Sequence, residues 1–316
     1  MPYTSIRGRK LGYTENGLVF NGTPVGGFQA RGPRGRVFFV DSNVAAGEGT
    51  SPETAVATID TAINLCTANR GDVIYVMPGH TEAVTSTSIA CDVAGVTFIG
   101  LGVGSNKPIL TFGATDSRIN VTAANCTWQN FRFTAGIGDV VTAVLHATAA
   151  QNTQYLDIEF FATSTFNFIN GYTLGAANIS DGCRWERNYL RTADTGQLAL
   201  CVTGAAHNDL KYYDNYVVHA AAAAGLLTAA AVNLLGLDVK RNFVQTGQTD
   251  GTVGVLVITT STASSGCIIE NHMKTADASL NVAIPIASKV YAANNYVAGA
   301  DEVGTVVGLG TLFDNL

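Results

Sequence analysis

Residues 211–216 read Lys211-Tyr-Tyr-Asp-Asn215-Tyr216, and this short pattern recurs along most of the chain. Each copy has a few alternating residues, then Asn or Glu, then an aromatic residue or His. The polar positions follow one another at intervals of 24 to 29 residues: Asn130, Glu159, Asn188, Asn215, Asn242, Asn271 and Asn295. A nearly constant period in this range is typical of an architecture of stacked repeats.

Each period has a second short β-type run, such as Val140–Leu145 or Leu198–Val202, and turn residues separate the two runs. Most periods leave no room for a helix as well as the two runs. The pattern therefore predicts an all-β fold, a parallel β-helix in which each period forms one coil. Equivalent positions are then expected to stack at roughly 4.8 Å, the spacing of paired strands.

The asparagines of the pattern are predicted to form a structural ladder at a turn. In such a column each side-chain amide donates to one neighbour and accepts from the other, so no buried polar group lacks a partner. The expected ladder residues are Asn130, Asn188, Asn215, Asn242, Asn271 and Asn295. The aromatic residues that follow are expected to form a second stack of Phe131, Phe160, Tyr189, Tyr216, Phe243 and Tyr296, and Glu159 and His272 interrupt the columns.

Charge divides the chain into two parts. Residues 1–36 carry six basic groups and one acidic group, a net charge of +5, and the remainder carries −11. We therefore expect a basic, extended N-terminal arm over 1–36, with one possible hairpin at Asn21-Gly22, and a β-helix domain over 37–316. The residues expected to anchor the arm to a partner are Arg7, Arg9, Arg31, Arg34 and Arg36.

Composition limits the classes of partner. Only 13% of the 316 residues are charged, compared with about 25% in average domains, so part of the rod is expected to pack against another chain. An acidic body disfavours nucleic acid, and the apolar run Ala220–Val232 is too short to span a membrane. The six cysteines have no metal or redox spacing and are expected to be buried thiols. No metal or cofactor is expected.

One helix is expected before the coils. Ser51-Pro52-Glu53 combines a capping residue, proline at the first helical position and an acidic residue in the first turn. An apolar face follows, so a helix over about 52–70 is predicted to cap the open end of the β-helix, whose strand edge would otherwise recruit other chains.

Three segments carry a resemblance to a known group: Met77-Pro-Gly-His-Thr-Glu82, Asp92-Val-Ala-Gly-Val-Thr-Phe-Ile-Gly-Leu-Gly102 and Lys107-Pro-Ile-Leu-Thr-Phe-Gly113. They resemble the opening coils of right-handed, single-stranded parallel β-helix proteins of the pectin-lyase-like group. More narrowly, the chain resembles the β-helix virion proteins of tailed bacteriophages. The resemblance covers about residues 37–316 and implies the fold more specifically than the function, because this architecture serves lyases, tail spikes and capsid decorations alike.

Two groups of residues are weighed as catalytic candidates. The repeat predicts two outward columns, one of Trp128, Asp157, Glu186, Tyr213, Lys240 and Ile269, and one of Tyr155, Arg184, Lys211 and Asp238. Asp157 and Glu186 are the best acid pair, but the neighbouring basic residues favour cross-strand ion pairs instead. His80 and Glu82 are expected to make a turn hydrogen bond rather than acid–base chemistry or a metal site. Stacked Trp128, Tyr155, Tyr213 and Tyr291 suit either a glycan or a neighbouring subunit.

The role expected from these observations is that of a structural protein of a phage particle, without catalytic residues and not an enzyme. We expect a homotrimer that decorates or cements the shell and attaches through its arm to the major capsid protein. Its location would be the virion, after assembly in the bacterial cytoplasm. The alternatives are a tail spike or fibre that binds host surface glycans and, from another class, a polysaccharide lyase or hydrolase.

Overall fold

A computed structural model of the chain describes most of the body and short parts of the N-terminal region. The described residues are 4–6, 9–14, 17–20, 23–24, 35–86, 89–163, 165–191, 199–219, 225–229, 232–246, 257–259, 263–274 and 289–298.

Three parallel sheets form the body, and each stacks strands from successive coils. Sheet 1 consists of Val37–Val40, Val73–Val76, Thr97–Gly100, Thr127–Gln129, Gln154–Leu156, Arg184–Glu186, Lys211–Tyr213, Leu237–Lys240, Ser265–Ile269 and Lys289–Ala293. Sheet 2 consists of Thr81–Val84, Ile109–Phe112, Arg132–Ala135, Glu159–Phe161, Tyr189–Arg191, Tyr216–His219, Phe243–Thr246, His272–Lys274 and Tyr296–Ala298. Sheet 3 consists of Ile89–Cys91, Ile119–Val121, Val140–His146, Phe168–Leu174, Ala199–Thr203, Leu227–Ala229 and Val257–Thr259. His207–Asn208 and Leu234–Leu235 form a further short parallel pair.

The chain visits the three sheets in turn and then returns to the first. One coil passes through Thr127–Gln129, Arg132–Ala135 and Val140–His146, and the next coil begins with Gln154–Leu156, which pairs in parallel with Thr127–Gln129. This winding is that of a parallel β-helix, so the fold class predicted from the repeat is confirmed.

Alternate side chains of each strand point into the coils and form the core. In sheet 1 the inward column includes Phe98, Trp128, Tyr155, Trp185 and Tyr212, all fully buried or nearly so. Adjacent rings stack, with centroids 4.0 Å apart for Phe98 and Trp128 and 4.7 Å apart for Trp185 and Tyr212. The expectation that Trp128 and Tyr155 point outward is therefore wrong, because a register shift of one residue sends a strand side chain to the opposite face.

From the coil of Thr127–Gln129 onward, the corner between sheets 1 and 2 uses one left-handed residue in each coil. The φ angles at this position range from 52° to 65°, at Asn130, Asp157, Arg187, Asp214, Arg241, Glu270 and Asn294. Asn and Asp tolerate this conformation better than most residues. At five successive positions of the column, from Asp157 to Glu270, acidic and basic residues alternate, so neighbouring coils present opposite charges to each other.

The residue after this corner forms an asparagine ladder. Each side-chain amide donates to the side-chain oxygen on the next coil, at 3.0 Å from Asn188 to Asn215 and 2.9 Å at each following step. Asn215 Nδ2 also donates to the backbone oxygen of Trp185, 3.0 Å away on the preceding coil. The ladder residues are Asn188, Asn215, Asn242, Asn271 and Asn295.

The ladder and the aromatic stack begin two coils later than the sequence suggested, at Asn188 and Tyr189. Asn130 lies outside the ladder: it is the left-handed corner residue, and its amide donates to the backbone oxygens of Gly100 and Gly102 at 2.6 and 3.0 Å. Because Glu159 pairs with Tyr189, Ile158 holds the ladder position of its coil and Glu159 the aromatic position. Phe131 and Phe160 are core residues and not members of the outer stack.

The helix before the coils is much shorter than the expected range of 52–70. Pro52–Thr54 forms a single 3-10 turn, and the α-helix extends only over Ile59–Ile63. Between the two, Val56 pairs with Val40 and its N–H donates to the oxygen of Phe39 at 2.9 Å. This strand-like pairing prevents a continuous helix, so the α-helix starts only after its capping residue Thr58.

The described part of the N-terminal region consists of paired strands, whereas a single extended arm was expected. Thr4–Ile6, Arg9–Thr14, Gly17–Phe20 and Thr23–Pro24 form a four-stranded antiparallel sheet. Arg7, Arg31 and Arg34 lie outside the described residues, and only the backbone of Arg9 is described. Arg36 is exposed, and its backbone N–H donates to Asp72 Oδ1 at 2.6 Å.

Candidate functional site

A pocket opens on the surface where sheet 1 turns into sheet 2. We call it the charged pocket; its volume is about 420 Å³, and it is lined by Lys107, Asp157, Ile158, Glu159, Arg187 and Tyr189. Three of the lining residues come from one corner, Asp157-Ile158-Glu159, and Arg187 and Tyr189 occupy the corresponding positions of the next coil.

One wall of the charged pocket is an ion-paired corner. Arg187 donates from Nε to Asp157 Oδ1 at 2.7 Å and from Nη2 to Oδ2 at 3.0 Å, a two-pronged contact that matches guanidinium to carboxylate. The bonds to Asp157 raise the pKa of Arg187 above its ordinary value. Nη1 of the same guanidinium binds Glu186, which also binds Arg184. Asp157 and Glu186 therefore share an arginine. The Asp157–Arg187 pair joins two coils, as expected of a cross-strand pair, whereas Glu186 pairs with Arg184 of its own strand and with the adjacent Arg187.

The opposite wall places two cations around Glu159. Arg132 Nη2 donates to both carboxylate oxygens of Glu159 at 3.2 and 3.1 Å. Lys107 Nζ lies 3.9 Å from Glu159 Oε2 and 3.5 Å from the backbone oxygen of Asp157. An ammonium group has three donors, and both of these contacts are long. Lys107 is therefore the cation of the pocket with the most donor capacity left for a ligand.

A row of stacked aromatic rings leads away from the charged pocket along sheet 2. Tyr189 and Tyr216 stack with centroids 5.2 Å apart and planes 4° apart, and Tyr216 and Phe243 at 4.7 Å and 9°. We call Tyr189, Tyr216 and Phe243 the aromatic row. Tyr189 and Tyr216 are 37% and 40% exposed, so their ring edges and hydroxyls face solvent. Glu159 heads this column, so the charged pocket lies where an acid takes the place of an aromatic residue.

The outward face of sheet 1 has a separate polar cluster around Tyr213. Its hydroxyl donates to Asp238 Oδ2 at 2.6 Å, and its ring lies under Arg184, whose guanidinium carbon is 5.1 Å from the centroid. Burial raises the pKa of Asp238, but hydrogen bonds from Cys267, Tyr213 and Lys240 outweigh it, so the pKa lies below its ordinary value. The Tyr213 ring is therefore covered, and Trp128 and Tyr155 lie in the core. The stack of Trp128, Tyr155, Tyr213 and Tyr291 that was considered for glycan binding is not formed on the outer face of sheet 1.

His80 and Glu82 form a buried network that joins elements of the first coils. His80 Nδ1 accepts the backbone N–H of Ser42 at 3.0 Å, so a neutral ring carries its proton on Nε2, which lies 3.2 Å from Glu82 Oε2. That oxygen also accepts the N–H of Ile59 at 2.9 Å, at the start of the α-helix. Within the described parts of the chain, no three His, Cys, Asp or Glu residues are grouped as a metal site would require.

Sequence reasoning did not single out Lys107, Arg132 or Arg187. Lys107 precedes Asp157 by 50 residues, and only the stacking of coils brings the two together. A signal was present in Glu159, which interrupts the repeat, because departures from a regular pattern concentrate at functional sites.

The thiols and the helices add two observations. All six cysteines are free, and Cys66 and Cys267 are only partly buried. No helix in the described ranges is both long enough and apolar enough to cross a membrane.

Comparison with known proteins assigns no family to the chain. No family model matches the chain, and no curated protein matches it. Among solved structures, a rhamnogalacturonan lyase is similar, with 14% identity, a TM-score of 0.49 and coverage of 76% of this chain and 69% of that one. Pectin methylesterase from Aspergillus niger has 13% identity, a TM-score of 0.48 and coverage of 87% and 91%. Pectin methylesterase from carrot has 12% identity, a TM-score of 0.41 and coverage of 88% and 86%.

The winding of the chain through three stacked parallel sheets defines the class: the protein is a parallel β-helix. The expectation that the chain is not an enzyme is contradicted at this point, because the solved structures that share the architecture are a lyase and methylesterases. The architecture therefore gives no reason to place the chain among non-enzymes.

Proposed function

We propose that this protein binds a polysaccharide, with one sugar unit in the charged pocket and its neighbours along the aromatic row. The observation that carries the proposal is the continuity of the two features, since Tyr189 lines the pocket and is also the first ring of the row. A surface whose features repeat from coil to coil suits a ligand that is itself a chain of repeating units.

The pocket offers the donors and acceptors that sugar hydroxyls need. Lys107 supplies an ammonium with donor capacity, and Glu159 supplies carboxylate oxygens held in place by Arg132. Sites of this kind combine apolar surface with a few well-placed polar groups.

The aromatic row contributes through ring edges and hydroxyls. Because Tyr189, Tyr216 and Phe243 stack on one another, the inner ring faces are used within the row. The exposed edges are apolar, and each tyrosine hydroxyl both donates and accepts hydrogen bonds. Such a surface binds weakly at each position, and an extended ligand adds the contributions.

The test is titration calorimetry of the full-length protein against a panel of purified neutral and acidic bacterial polysaccharides. For the polysaccharide bound by the natural sequence, Lys107→Ala should weaken binding about tenfold or more, since a hydrogen bond from a charged group contributes about 1.5–3 kcal/mol. Tyr189→Ala should also weaken binding, because it removes an exposed ring edge and a hydroxyl that donates and accepts hydrogen bonds. Tyr291→Ala is the matched control, because Tyr291 is similarly exposed but lies on sheet 1. Unchanged affinity in both pocket variants, or no binding across the panel, would refute the proposal.

The same samples test for turnover. Release of reducing ends indicates hydrolysis, and release of unsaturated products indicates elimination. Either result would place the chain among enzymes that act on the polysaccharide they bind.

A second proposal concerns assembly and derives from the resemblance to phage virion proteins. We propose a homotrimeric virion protein whose basic N-terminal region attaches it to the major capsid protein as a shell decoration, with a glycan-binding tail spike as the alternative. The observation that favours it is the antiparallel sheet over 4–24, which is separate from the three parallel sheets and lies within the part of the chain with a net charge of +5.

Light scattering and particle reconstitution test this second proposal. The natural sequence should have the mass of three chains, and added protein should occupy particles that lack it. A variant with serine at Arg7, Arg9, Arg31, Arg34 and Arg36 should remain trimeric but lose attachment. A monomer at micromolar concentration would contradict the trimer, and normal occupancy by the serine variant would contradict the arm as the anchor.

A further inference from the structure

The interior of the coils has a tyrosine–histidine pair that neither the charged pocket nor the aromatic row uses. Tyr155 Oη lies 2.7 Å from His146 Nε2, and His146 Nδ1 lies 2.8 Å from Ser180 Oγ. All three side chains are buried, with at most 1% of their surface exposed. The contact is within the range over which a proton passes directly between two heavy atoms.

The hydrogen-bonding pattern assigns the protons. A neutral imidazole has one donor and one acceptor nitrogen, and burial lowers the pKa of His146 to about 3, so the ring is neutral at ordinary pH. A phenol is a better donor and a poorer acceptor than a serine hydroxyl, because it is far more acidic. Tyr155 therefore donates to Nε2, and Nδ1–H donates to Ser180.

Tyr155 also belongs to a cluster of oxidisable rings. Its centroid lies 6.0 Å from that of Trp185 and 4.6 Å from that of Tyr172, and Trp185 stacks on Tyr212 at 4.7 Å. The buried Tyr172 hydroxyl has no hydrogen-bond partner among the described residues, and the buried Tyr212 hydroxyl contacts the thiol of Cys201. Among these three buried tyrosines, Tyr155 is the one with a basic nitrogen positioned to take its proton.

We propose that Tyr155 and His146 form a one-electron oxidation site, in which Tyr155 is the final position of an oxidising equivalent that enters the interior rings. A one-electron oxidant, such as a photogenerated metal complex or an inorganic radical, removes one electron from the ring cluster. The electron vacancy moves to Tyr155, and the phenolic O–H bond breaks as its proton forms an N–H bond at His146 Nε2. The products are a neutral tyrosyl radical, an imidazolium and the reduced oxidant, and one electron from a reductant with return of the proton restores the pair.

The direction of proton transfer follows from acidity. An oxidised phenol is a very strong acid, far stronger than an imidazolium with a pKa of about 3. Proton transfer to His146 is therefore favourable in spite of burial. Among the described residues His146 is the hydrogen-bond partner of the Tyr155 hydroxyl, and burial already raises the pKa of the Tyr155 phenol well above its usual range.

The experiment uses the full-length protein with photoexcited tris(bipyridine)ruthenium and persulfate, followed by freeze-quench electron paramagnetic resonance. The natural sequence should give a tyrosyl radical that outlives the signals of exposed tyrosines, with a strong hydrogen bond visible in the g-tensor. Tyr155→Phe keeps the ring and should reduce the long-lived signal several-fold. His146→Gln should shorten the radical's lifetime and remove the g-tensor shift, and Tyr212→Phe is the matched control that should leave both unchanged.

Circular dichroism establishes that each variant is folded. An equal long-lived signal in folded Tyr155→Phe overturns the proposal, since the radical then resides elsewhere. A g-tensor and lifetime in folded His146→Gln equal to those of the natural sequence also overturn it. If His146→Gln does not fold, the isosteric Tyr155→Phe variant alone decides the outcome, because loss of the long-lived signal supports the site and retention refutes it.

Discussion

Asn215 accepts two hydrogen bonds from Asn188 on a single side-chain oxygen, one from the backbone N–H and one from the side-chain amide, each at 3.0 Å. Asn215 in turn makes the same pair of contacts to Asn242, at 3.0 and 2.9 Å. One side chain therefore satisfies two donors of one coil and continues the pattern into the next. This coupling gives the ladder its importance for stability, since buried groups that lose partners are costly.

Replacing Asn215 by Leu should destabilise the protein strongly. The substitution removes the acceptor of both Asn188 donors, at about 1–3 kcal/mol for each orphaned buried group. Urea unfolding measures the loss. Asn43→Leu is the control, because Asn43 is exposed and, within the part of the chain that the structure describes, bonds to Asp41 of its own loop and to Gly79. Equal midpoints for the two variants would show that the ladder does not stabilise the fold.

Replacing Asp72 by Asn should loosen the start of the first coil. The fully buried carboxylate accepts two bonds from Arg70 at 2.6 Å each, and the N–H groups of Thr67 and Arg36 at 2.7 and 2.6 Å. Removing one partner of a buried ion pair costs about 3–5 kcal/mol.

The Asp72→Asn variant is measured by thermal unfolding at pH 7. Asp139→Asn is the comparison, because no ion pair is formed by Asp139 within the described parts of the chain. A loss below about 1 kcal/mol, the level of an exposed pair, would contradict the importance assigned to this contact.

Acidification from pH 7 to pH 5 should destabilise the fold through its buried histidines. Burial lowers the pKa of His146 to about 3, that of His219 to about 4, and that of His207 in the same direction. Below the ordinary histidine pKa of about 6.5 the unfolded chain binds protons that the folded chain does not. The free energy of unfolding therefore decreases as the pH is lowered. The free energy of unfolding changes by up to about 1.4 kcal/mol per pH unit for each such histidine, until the pH reaches the pKa of that histidine in the folded protein.

Urea unfolding at several pH values measures this slope. His146→Gln should reduce it by up to one histidine's share, whereas His272→Gln, at an exposed position, should leave it unchanged. The interval from pH 5 to 7 lies above the range in which Asp72, whose pKa is lowered, loses its contribution. Stability independent of pH across this interval would refute the prediction.

Replacing Gly266 by Ala should disrupt sheet 1 near its C-terminal end. A Cβ there would lie 2.0 Å from the backbone oxygen of Leu237 and 2.5 Å from its nitrogen, and the φ of 139° is unfavourable for other residues. Backbone atoms cannot move aside as a flexible side chain can, so the cost should be about 1–3 kcal/mol or more. Gly113→Ala is the control, since a Cβ at Gly113 meets nothing within 4 Å. Equal melting temperatures for the two variants would contradict this placement of Gly266.

The sequence by itself determined the period, the two short runs in each coil and the parallel β-helix. These features are local and repetitive, and stacking is the arrangement in which every copy buries its apolar run. The sequence also indicated the asparagine column from Asn188 to Asn295, because an identical residue at one position of consecutive coils bonds to its own copies. It could not indicate that the helix would stop at Ile63, because the pairing of Val56 with Val40 joins segments that are separate in sequence.

The tertiary structure alone decided the register and the site. Side chains alternate between the two faces of a strand, so an alignment error of one residue assigned the core residues Trp128 and Tyr155 to the surface and placed Asn130 in the wrong column. The charged pocket depends on Lys107, Glu159 and Arg187, which come from three different coils. Their proximity depends on the number of residues in each loop between strands. Because the interval between repeats varies, the sequence pattern does not determine which side chains become neighbours.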